Sequence, residues 1–191
     1  AMELINGKNE WTGNIISQVK RLSLLINDLV LLSKIGETSA KDLTLVDTDL
    51  SEAVKSSAGS FRQMIEDAGK TLSVEAESGI HAKVEPRLFS EIVSILLDNA
   101  VKYCDEKGTI TARLEKNKRG VILSVSNPYQ EGASEDYERF FERFYRGDTS
   151  HSSKRSGYGI GLSMARDMAR LMKGSLDVSY KDGVITFSLS L

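Results

Sequence analysis

Glycine recurs at alternate positions late in the chain, in the run Gly157-Tyr158-Gly159-Ile160-Gly161-Leu162-Ser163. Glycines just before a helix let backbone N–H groups approach phosphates, and the N-terminus of the helix favours their negative charge. The run is not a Walker loop, because it lacks Gly-Lys-Ser/Thr, and Leu162 replaces the third glycine of a Rossmann fingerprint. By itself it indicates either a phosphate-binding loop or a simple turn. The apolar residues that follow it at helical spacing are Ile160, Met164, Met168 and Met172.

Asn99 is a second candidate, because it interrupts an otherwise apolar helix face. Pro86 suits the first position of that helix, which we expect to run to about Cys104. A buried amide must be satisfied by protein, by water or by a ligand. A ligand-binding asparagine and an internally bonded core asparagine both remain open at this point. The face reads Leu88, Ile92, Leu96, Asn99 and Tyr103.

The first element that the sequence predicts is a long helix. Its apolar residues follow a 4-3-4-3 spacing, which is typical of the seam of a helical bundle or coiled coil. We expect it to end near Gly36 and to pair with a second chain; a helix folded back on its own domain is the alternative. The seam consists of Ile15, Val19, Leu22, Ile26 and Leu29.

The rest of the chain alternates helices with strands. Asp49 and Glu52 form a capping box for a second helix, and strands are expected around Leu72–Ala76 and His81–Val84. Three later segments, 110–114, 121–125 and 185–191, alternate apolar and polar residues, which indicates a sheet with one buried face. The predicted fold class is therefore α/β (α+β). It is a two-layer sandwich whose mixed, mainly antiparallel sheet is covered by helices on one face.

The composition excludes several classes of protein. The 25 basic and 27 acidic residues give a formal net charge of −2, so no nucleic-acid partner is expected. The single cysteine, Cys104, excludes an intrachain disulfide. The apolar run from Leu22 to Leu32 contains Asn27 and Asp28 and falls short of the roughly 20 residues of a membrane span. We expect membrane association only through regions outside this sequence.

Taken together, these segments resemble sensor histidine kinases of the GHKL ATPase superfamily. Residues Ile92–Tyr103 resemble the asparagine box, Phe141–Asp148 the phenylalanine box and Gly157–Leu162 the second glycine box. Leu22 to Ile35 is similar to the second helix of the dimerisation and phosphoacceptor region. The resemblance covers essentially the whole chain. It implies a catalytic ATP-binding domain at residues 42–191, preceded at residues 1–37 by the C-terminal helix of the dimerisation region.

The resemblance also implies roles for single residues. Asn99 would ligate Mg²⁺ through its amide oxygen, together with water and the phosphates of ATP. Lys102 would approach the phosphates, and Tyr103 would pack beside the adenine. The segment from Tyr129 to Ser156 would be a lid over the nucleotide, anchored by Phe141 and Phe144. The expected ATP-binding residues are Asn99, Lys102, Tyr103, Asn127, Phe141, Arg143, Phe144, Arg146, Gly157, Tyr158, Gly159, Ile160, Gly161 and Leu162.

The sequence departs from the family pattern at three places. Asn127 stands where an adenine-binding aspartate is expected. Ile95 stands where the box commonly has an asparagine, or a general-base glutamate in gyrase-type relatives, which favours phosphoryl transfer over hydrolysis. The only histidines, His81 and His151, are expected in a strand and in the lid, so neither is expected to be the phosphoacceptor.

These observations predict the ATP-binding catalytic fragment of a sensor histidine kinase. It would transfer the γ-phosphate to a histidine on a helix outside this sequence, for relay to a response regulator, and would not phosphorylate itself. It would form a homodimer through the N-terminal helix and belong to the cytoplasmic portion of a membrane-anchored bacterial sensor. The alternative is a catalytically degenerate module for nucleotide binding or dimerisation. A gyrase-like ATPase is disfavoured by Ile95.

Overall fold

A computed structural model of the protein describes residues 10–37, 43–118, 120–145 and 158–191. The chain divides into two compact units, Ala1–Glu37 and Thr38–Leu191. The described part of the first unit is helix α1, Glu10–Glu37. This confirms the helix predicted from the apolar seam. The helix begins at Glu10, before the first seam residue, Ile15.

Helix α1 keeps its apolar seam exposed. Ile15, Val19 and Leu22 retain 51%, 57% and 58% of their accessible surface, and Trp11, one turn before Ile15, retains 80%. Trp11 therefore extends the exposed stripe toward the start of the helix. Among the residues that the structure describes, no helix has both the length and the apolar character that crossing a bilayer requires.

The second unit alternates strands and helices. Its elements in chain order are β1 Val46–Asp49, α2 Leu50–Asp67, β2 Thr71–Ala76, β3 His81–Val84, α3 Pro86–Tyr103, β4 Thr109–Asn117, β5 Gly120–Pro128, α4 Gly161–Leu171, β6 Ser175–Lys181 and β7 Val184–Ser190. Two short 3-10 helices, Gln130–Ser134 and Tyr137–Phe141, lie between β5 and α4.

A five-stranded sheet has the order β2-β4-β5-β7-β6, and β1 pairs separately with β3. Only β2 and β4 run parallel; the remaining neighbours in the sheet are antiparallel. Helix α3 packs between α2 and α4, while α2 contacts β2 and α4 contacts β6. The predicted two-layer sandwich with a mixed, mainly antiparallel sheet is confirmed.

Local signals set the starts of α2 and α3. The Asp49 carboxylate accepts from the backbone N–H of Glu52 at 3.1 Å, and the Glu85 carboxylate accepts from that of Leu88 at 2.6 Å. Such caps satisfy backbone donors that have no partner within the helix. With Pro86 at its first turn, α3 has a defined start, and this start determines which way Asn99 faces.

Candidate functional site

A cleft opens to solvent at the C-terminal end of α3. The empty space within it, including the part that is open solvent, is about 450 Å³. Side chains from α3, from the segment after β5, from the first turn of α4 and from β7 form its walls. The lining residues are Asn99, Tyr103, Tyr129, Glu135, Phe140, Tyr145, Leu162 and Ile185.

Asn99 lies at the border between the buried face of α3 and the cleft. The buried residues of α3 include Leu96 and Ala100, whereas Asn99 is half-buried and lines the cleft. Its side chain makes no hydrogen bond to another described residue. A core asparagine would need such an internal bond. The amide is therefore available to a molecule in the cleft.

Two tyrosines form an aromatic wall beside Asn99. Tyr103, on the last turn of α3, meets Tyr129 edge to face, with ring centroids 5.8 Å apart and an interplanar angle of 70°. Tyr129 is 3% exposed although it lies in a connecting segment. Flat aromatic walls of this kind suit a planar ring system.

The described part of the glycine run leads directly into Leu162, which lines the cleft. Gly159 has φ of +71°, and a Cβ there would lie 2.5 Å from the carbonyl oxygen of Tyr145. Only glycine tolerates both the backbone conformation and this close approach. Helix α4 begins at Gly161, and no side chain caps it, because its N-cap residue is Ile160. Its first N–H groups are those that an anion commonly satisfies.

Tyr137 joins the two 3-10 helices beside the cleft. Its hydroxyl donates to the carbonyl oxygen of Gly132, and its ring stacks on that of Tyr180 with centroids 5.5 Å apart. Burial, and secondarily the neighbouring Tyr180, raises the pKa of Tyr137 to about 12. The hydroxyl therefore stays protonated as a donor at neutral pH. Burial also raises the pKa of the Cys104 thiol, just after α3.

A comparison with known families decides what this cleft is. The sequence pattern of the family described as "Histidine kinase-, DNA gyrase B-, and HSP90-like ATPase" matches residues 83–191, which is more than half of the chain. The chain belongs to this family. The match contains α3, the 3-10 helices and α4, so every residue that lines the cleft falls within the ATPase domain.

Individual relatives point to the histidine kinase branch of the ATPase family. The sensor protein DltS of Streptococcus agalactiae is 29% identical over 168 residues, covering 88% of this chain and 42% of DltS. The sensor histidine kinase RppB of Synechocystis is 33% identical over 172 residues, covering 89% of this chain and 37% of RppB. The chain thus spans less than half the length of either relative. It carries the ATP-binding catalytic domain of sensor histidine kinases.

A solved structure shows the same fold. The histidine kinase AdeS of Acinetobacter baumannii superposes with a TM-score of 0.74 at 19% identity. The superposition covers 100% of this chain and 89% of the AdeS chain. At this level of identity the likeness concerns the fold.

Several expected residues of the ATPase site lie in or at the cleft. Asn99, Tyr103 and Leu162 line it, and Ile160, which precedes Leu162 in the first turn of α4, is buried. Tyr158 is half-buried beside Gly159. Arg146, His151 and Gly157 lie outside the described residues, so their expected roles stay predictions.

Lys102 does not line the cleft. Its ammonium donates to the Asp98 carboxylate, one helical turn earlier, at 2.5 Å. Both side chains remain partly exposed, so the pair is weak enough to exchange for another anion. The expected approach of Lys102 to phosphates would require it to leave Asp98.

Asn127 lies directly beneath the cleft. It is 2% exposed, faces the same side of the sheet as Val125 and pairs across the ladder with Ile185, which lines the cleft. Its amide nitrogen donates to the carbonyl oxygen of Pro128 at 2.9 Å. Asn127 thus lies beside Ile185, next to the cleft.

The two anchoring phenylalanines differ in the structure. Phe141 is buried and meets Phe187 edge to face, with centroids 6.5 Å apart. Phe144 is 64% exposed and has φ of +65°. Its N–H donates to the carbonyl oxygen of Gly159 at 2.9 Å. Residues 146–156 of the expected lid lie outside the described residues, so the role of Phe144 as a lid anchor stays a prediction.

Two further expectations concern polar residues away from the cleft. Arg143 pairs with Asp167 of α4 at 3.4 Å and does not line the cleft. His81 opens strand β3 as predicted, with its imidazole 3.4 Å from the Asp47 carboxylate and about half exposed. Four residues that line the cleft were not predicted as binding residues: Tyr129, Glu135, Phe140 and Tyr145.

Proposed function

We propose that this domain binds ATP together with Mg²⁺ and presents the γ-phosphate to a histidine on a phosphoacceptor helix outside this sequence. The observation that carries the proposal is the amide of Asn99, which faces the cleft without an internal partner. The uncapped start of α4 borders the same cleft and suits the phosphate chain.

The residues at the cleft fit a bound magnesium ion. The amide oxygen of Asn99 is a hard ligand, and Mg²⁺ in proteins commonly combines one or two such ligands with water and substrate phosphates. No cluster of three acidic, histidine or cysteine side chains is found among the described residues, so the phosphates would complete the shell. When bound, the ion neutralises charge on the phosphoryl oxygens.

The chain's own groups favour transfer to a protein acceptor over hydrolysis. Ile95 lies one helical turn before Asn99, and its Cγ2 comes within 3.4 Å of where a Cβ on Gly161 would be. An apolar side chain there excludes water and cannot accept a proton from it. The acceptor nucleophile would therefore come from another segment.

We extend the proposal to the whole protein on the strength of its relatives. In that assembly α1 would pair with its copy, the acceptor histidine would lie on a preceding helix, and the phosphoryl group would pass to a response regulator. The sensor would be anchored in a bacterial membrane with this domain in the cytoplasm. Self-phosphorylation of the chain described here is not expected.

The decisive experiment for the metal site measures ATP binding to wild type and Asn99→Ala by calorimetry, with Mg²⁺ and with EDTA. Asn99→Ala should lose at least severalfold in affinity with Mg²⁺ and little without it. Glu91→Ala, on the exposed face of the same helix, should match wild type under both conditions. An equal loss with and without Mg²⁺ would contradict the ligand role of Asn99.

A second experiment separates a kinase from a degenerate binding module. The domain is incubated with labelled ATP and a separately expressed phosphoacceptor helix pair from a related sensor. Acid-labile, base-stable label on that helix pair supports the kinase. ATP binding without any transfer would support the degenerate module instead.

A further inference from the structure

Tyr129 is a buried residue that lines the cleft and contacts several neighbouring segments. It lies two residues after Asn127, in the segment that leaves β5, yet only 3% of its surface is exposed. Its ring forms one wall of the cleft and meets Tyr103 edge to face. A buried aromatic side chain in a connecting segment requires that its backbone be held in place.

Backbone hydrogen bonds hold Tyr129 from both sides. Its N–H donates to the carbonyl oxygen of Gly183 at 2.8 Å, and its own carbonyl oxygen accepts from the N–H of Gly132 at 3.1 Å. These bonds attach Tyr129 to the β6–β7 turn and to the first 3-10 helix. The tyrosine thus sits where three segments meet.

Asp105 forms hydrogen bonds with the residues on both sides of Tyr129. Its carboxylate accepts from the N–H of Gln130, with oxygen distances of 3.0 and 3.3 Å, and its own N–H donates to the carbonyl oxygen of Pro128 at 3.0 Å. One residue therefore bonds both chain neighbours of Tyr129. Because Asp105 comes two residues after Tyr103, it also links the backbones that carry the two aromatic rings.

We infer that Tyr129 contacts the base of the bound nucleotide and that Asp105 is the positioning residue that holds it there. The inference rests on the proposed ATP site. Base recognition would then depend on the aromatic wall that Tyr103 and Tyr129 form together, next to Asn127, which offers no carboxylate. Tyr129, with 3% of its surface exposed, contributes part of this wall and not a whole ring face. Aromatic contacts to a base contribute up to roughly a hundredfold in affinity and discriminate little between bases. Changing Tyr129 should therefore lower the affinity for GTP and the affinity for ATP by similar factors.

The test compares Asp105→Ala, Asp105→Asn and Tyr129→Leu, each alone, and the double variant Asp105→Ala/Tyr129→Leu. ATP affinity is measured by calorimetry and thermal stability by circular dichroism. Asp105→Ala should weaken ATP binding severalfold, and Asp105→Asn, which keeps one acceptor oxygen, should recover part of that loss. Because Asp105 acts through Tyr129, the double variant should bind no worse than Tyr129→Leu. Glu106→Ala, an exposed neighbour of the same charge, should match wild type.

A spectroscopic measurement covers the case in which Tyr129→Leu fails to fold. The fluorescence of 1,N6-etheno-ATP is quenched when its base stacks on an aromatic ring. At saturating protein, Asp105→Ala should quench this probe less than wild type does. A purely structural role for Asp105 would lower the melting temperature and leave the quenching unchanged.

The outcomes separate the two levels of the proposal. Wild type that binds ATP, together with an Asp105→Ala variant of unchanged affinity and quenching, overturns the positioning role alone. Additive losses in the double variant also overturn it, because they would place the effect of Asp105 elsewhere. Absence of ATP binding by wild type overturns the proposed function itself and this inference with it.

Discussion

Asn127 uses its amide in a way that a carboxylate at the same position could not. The amide nitrogen donates to the carbonyl oxygen of Pro128 at 2.9 Å from a site that is 2% exposed. An aspartate would place an acceptor against that carbonyl and bury a negative charge. The asparagine thus stabilises the end of β5. Its partner across the sheet, Ile185, lines the cleft, so Asn127 is also close to the cleft.

We predict opposite effects of Asn127→Asp on stability and on ATP binding. Loss of the bond to Pro128 should lower the melting temperature. A charge-assisted bond to the base is roughly twice as strong as a neutral one, a gain of about 1 kcal/mol or about fivefold in affinity. Asn127→Leu should lower both quantities. Calorimetry and thermal melts measure the two effects. Unchanged ATP affinity in both variants would make Asn127 a turn residue only. Glu135, which lines the cleft, would then be the next candidate for binding the base.

Most of the elements that build the site follow from local patterns. The 3.6-residue spacing and Pro86 predict α3, and the buried Met164, Met168 and Met172 confirm the predicted face of the helix that begins at the glycine run. Strand β1 could not be predicted in this way, because Val46-Asp-Thr-Asp is short and polar and exists only by pairing with β3. Strand β6 was missed although Leu176 and Val178 alternate with polar residues.

The cleft residues outside α3 were harder to predict than those on this helix. Asn99 and Tyr103 lie on one regular helix, so spacing alone places them on one side. Tyr129, Phe140 and Tyr145 reach the cleft through 3-10 helices and turns, where no repeat relates sequence position to direction. Their placement depends on long-range bonds such as that from Gln130 to Asp105.

At the scale of elements, Arg166 attaches the second 3-10 helix to α4. Its guanidinium donates to the carbonyl oxygen of Phe141 at 3.2 Å and lies 4.7 Å above the centre of the Phe141 ring. Its Nε is buried and has no partner among the described residues. Burial, and to a lesser degree Arg170, lowers the pKa of Arg166. The attachment is therefore partly offset by the cost of desolvating the charge.

We predict that Arg166→Ala destabilises the domain by about 1 kcal/mol, which is the net of one charged hydrogen bond and a cation–π contact against that desolvation. Arg166→Lys should not restore the loss, since a lysine lacks the planar group that spans the ring and the carbonyl. Urea unfolding measures both. Arg170→Ala is the control, because its ion pair with Asp167 is 3.7 Å long and exposed. Equal stability of Arg166→Ala and wild type would show that this attachment contributes nothing.

At the scale of the whole molecule, the exposed apolar stripe of α1 is a more prominent feature than the net charge. The net charge of −2 offers no strong field for steering a partner. The apolar stripe of α1 is by contrast long and exposed, from Trp11 through Ile15 and Val19 to Leu22. Stripes of this kind are commonly covered by a second helix. This is the physical basis for proposing that two copies of α1 pair.

We predict that the chain self-associates through α1 and that Leu22→Glu prevents it. Burying one leucine contributes about 1.5–3 kcal/mol, so a charge at this position should raise the dimer Kd more than tenfold. Ser17→Glu adds the same charge on the exposed side of the helix opposite the seam and should leave the Kd unchanged. Sedimentation velocity over a concentration series measures the Kd. Trp11, the single tryptophan and 80% exposed, should shift its emission to shorter wavelength as the dimer forms. A strictly monomeric chain at high concentration, with constant Trp11 emission, would contradict pairing through this helix.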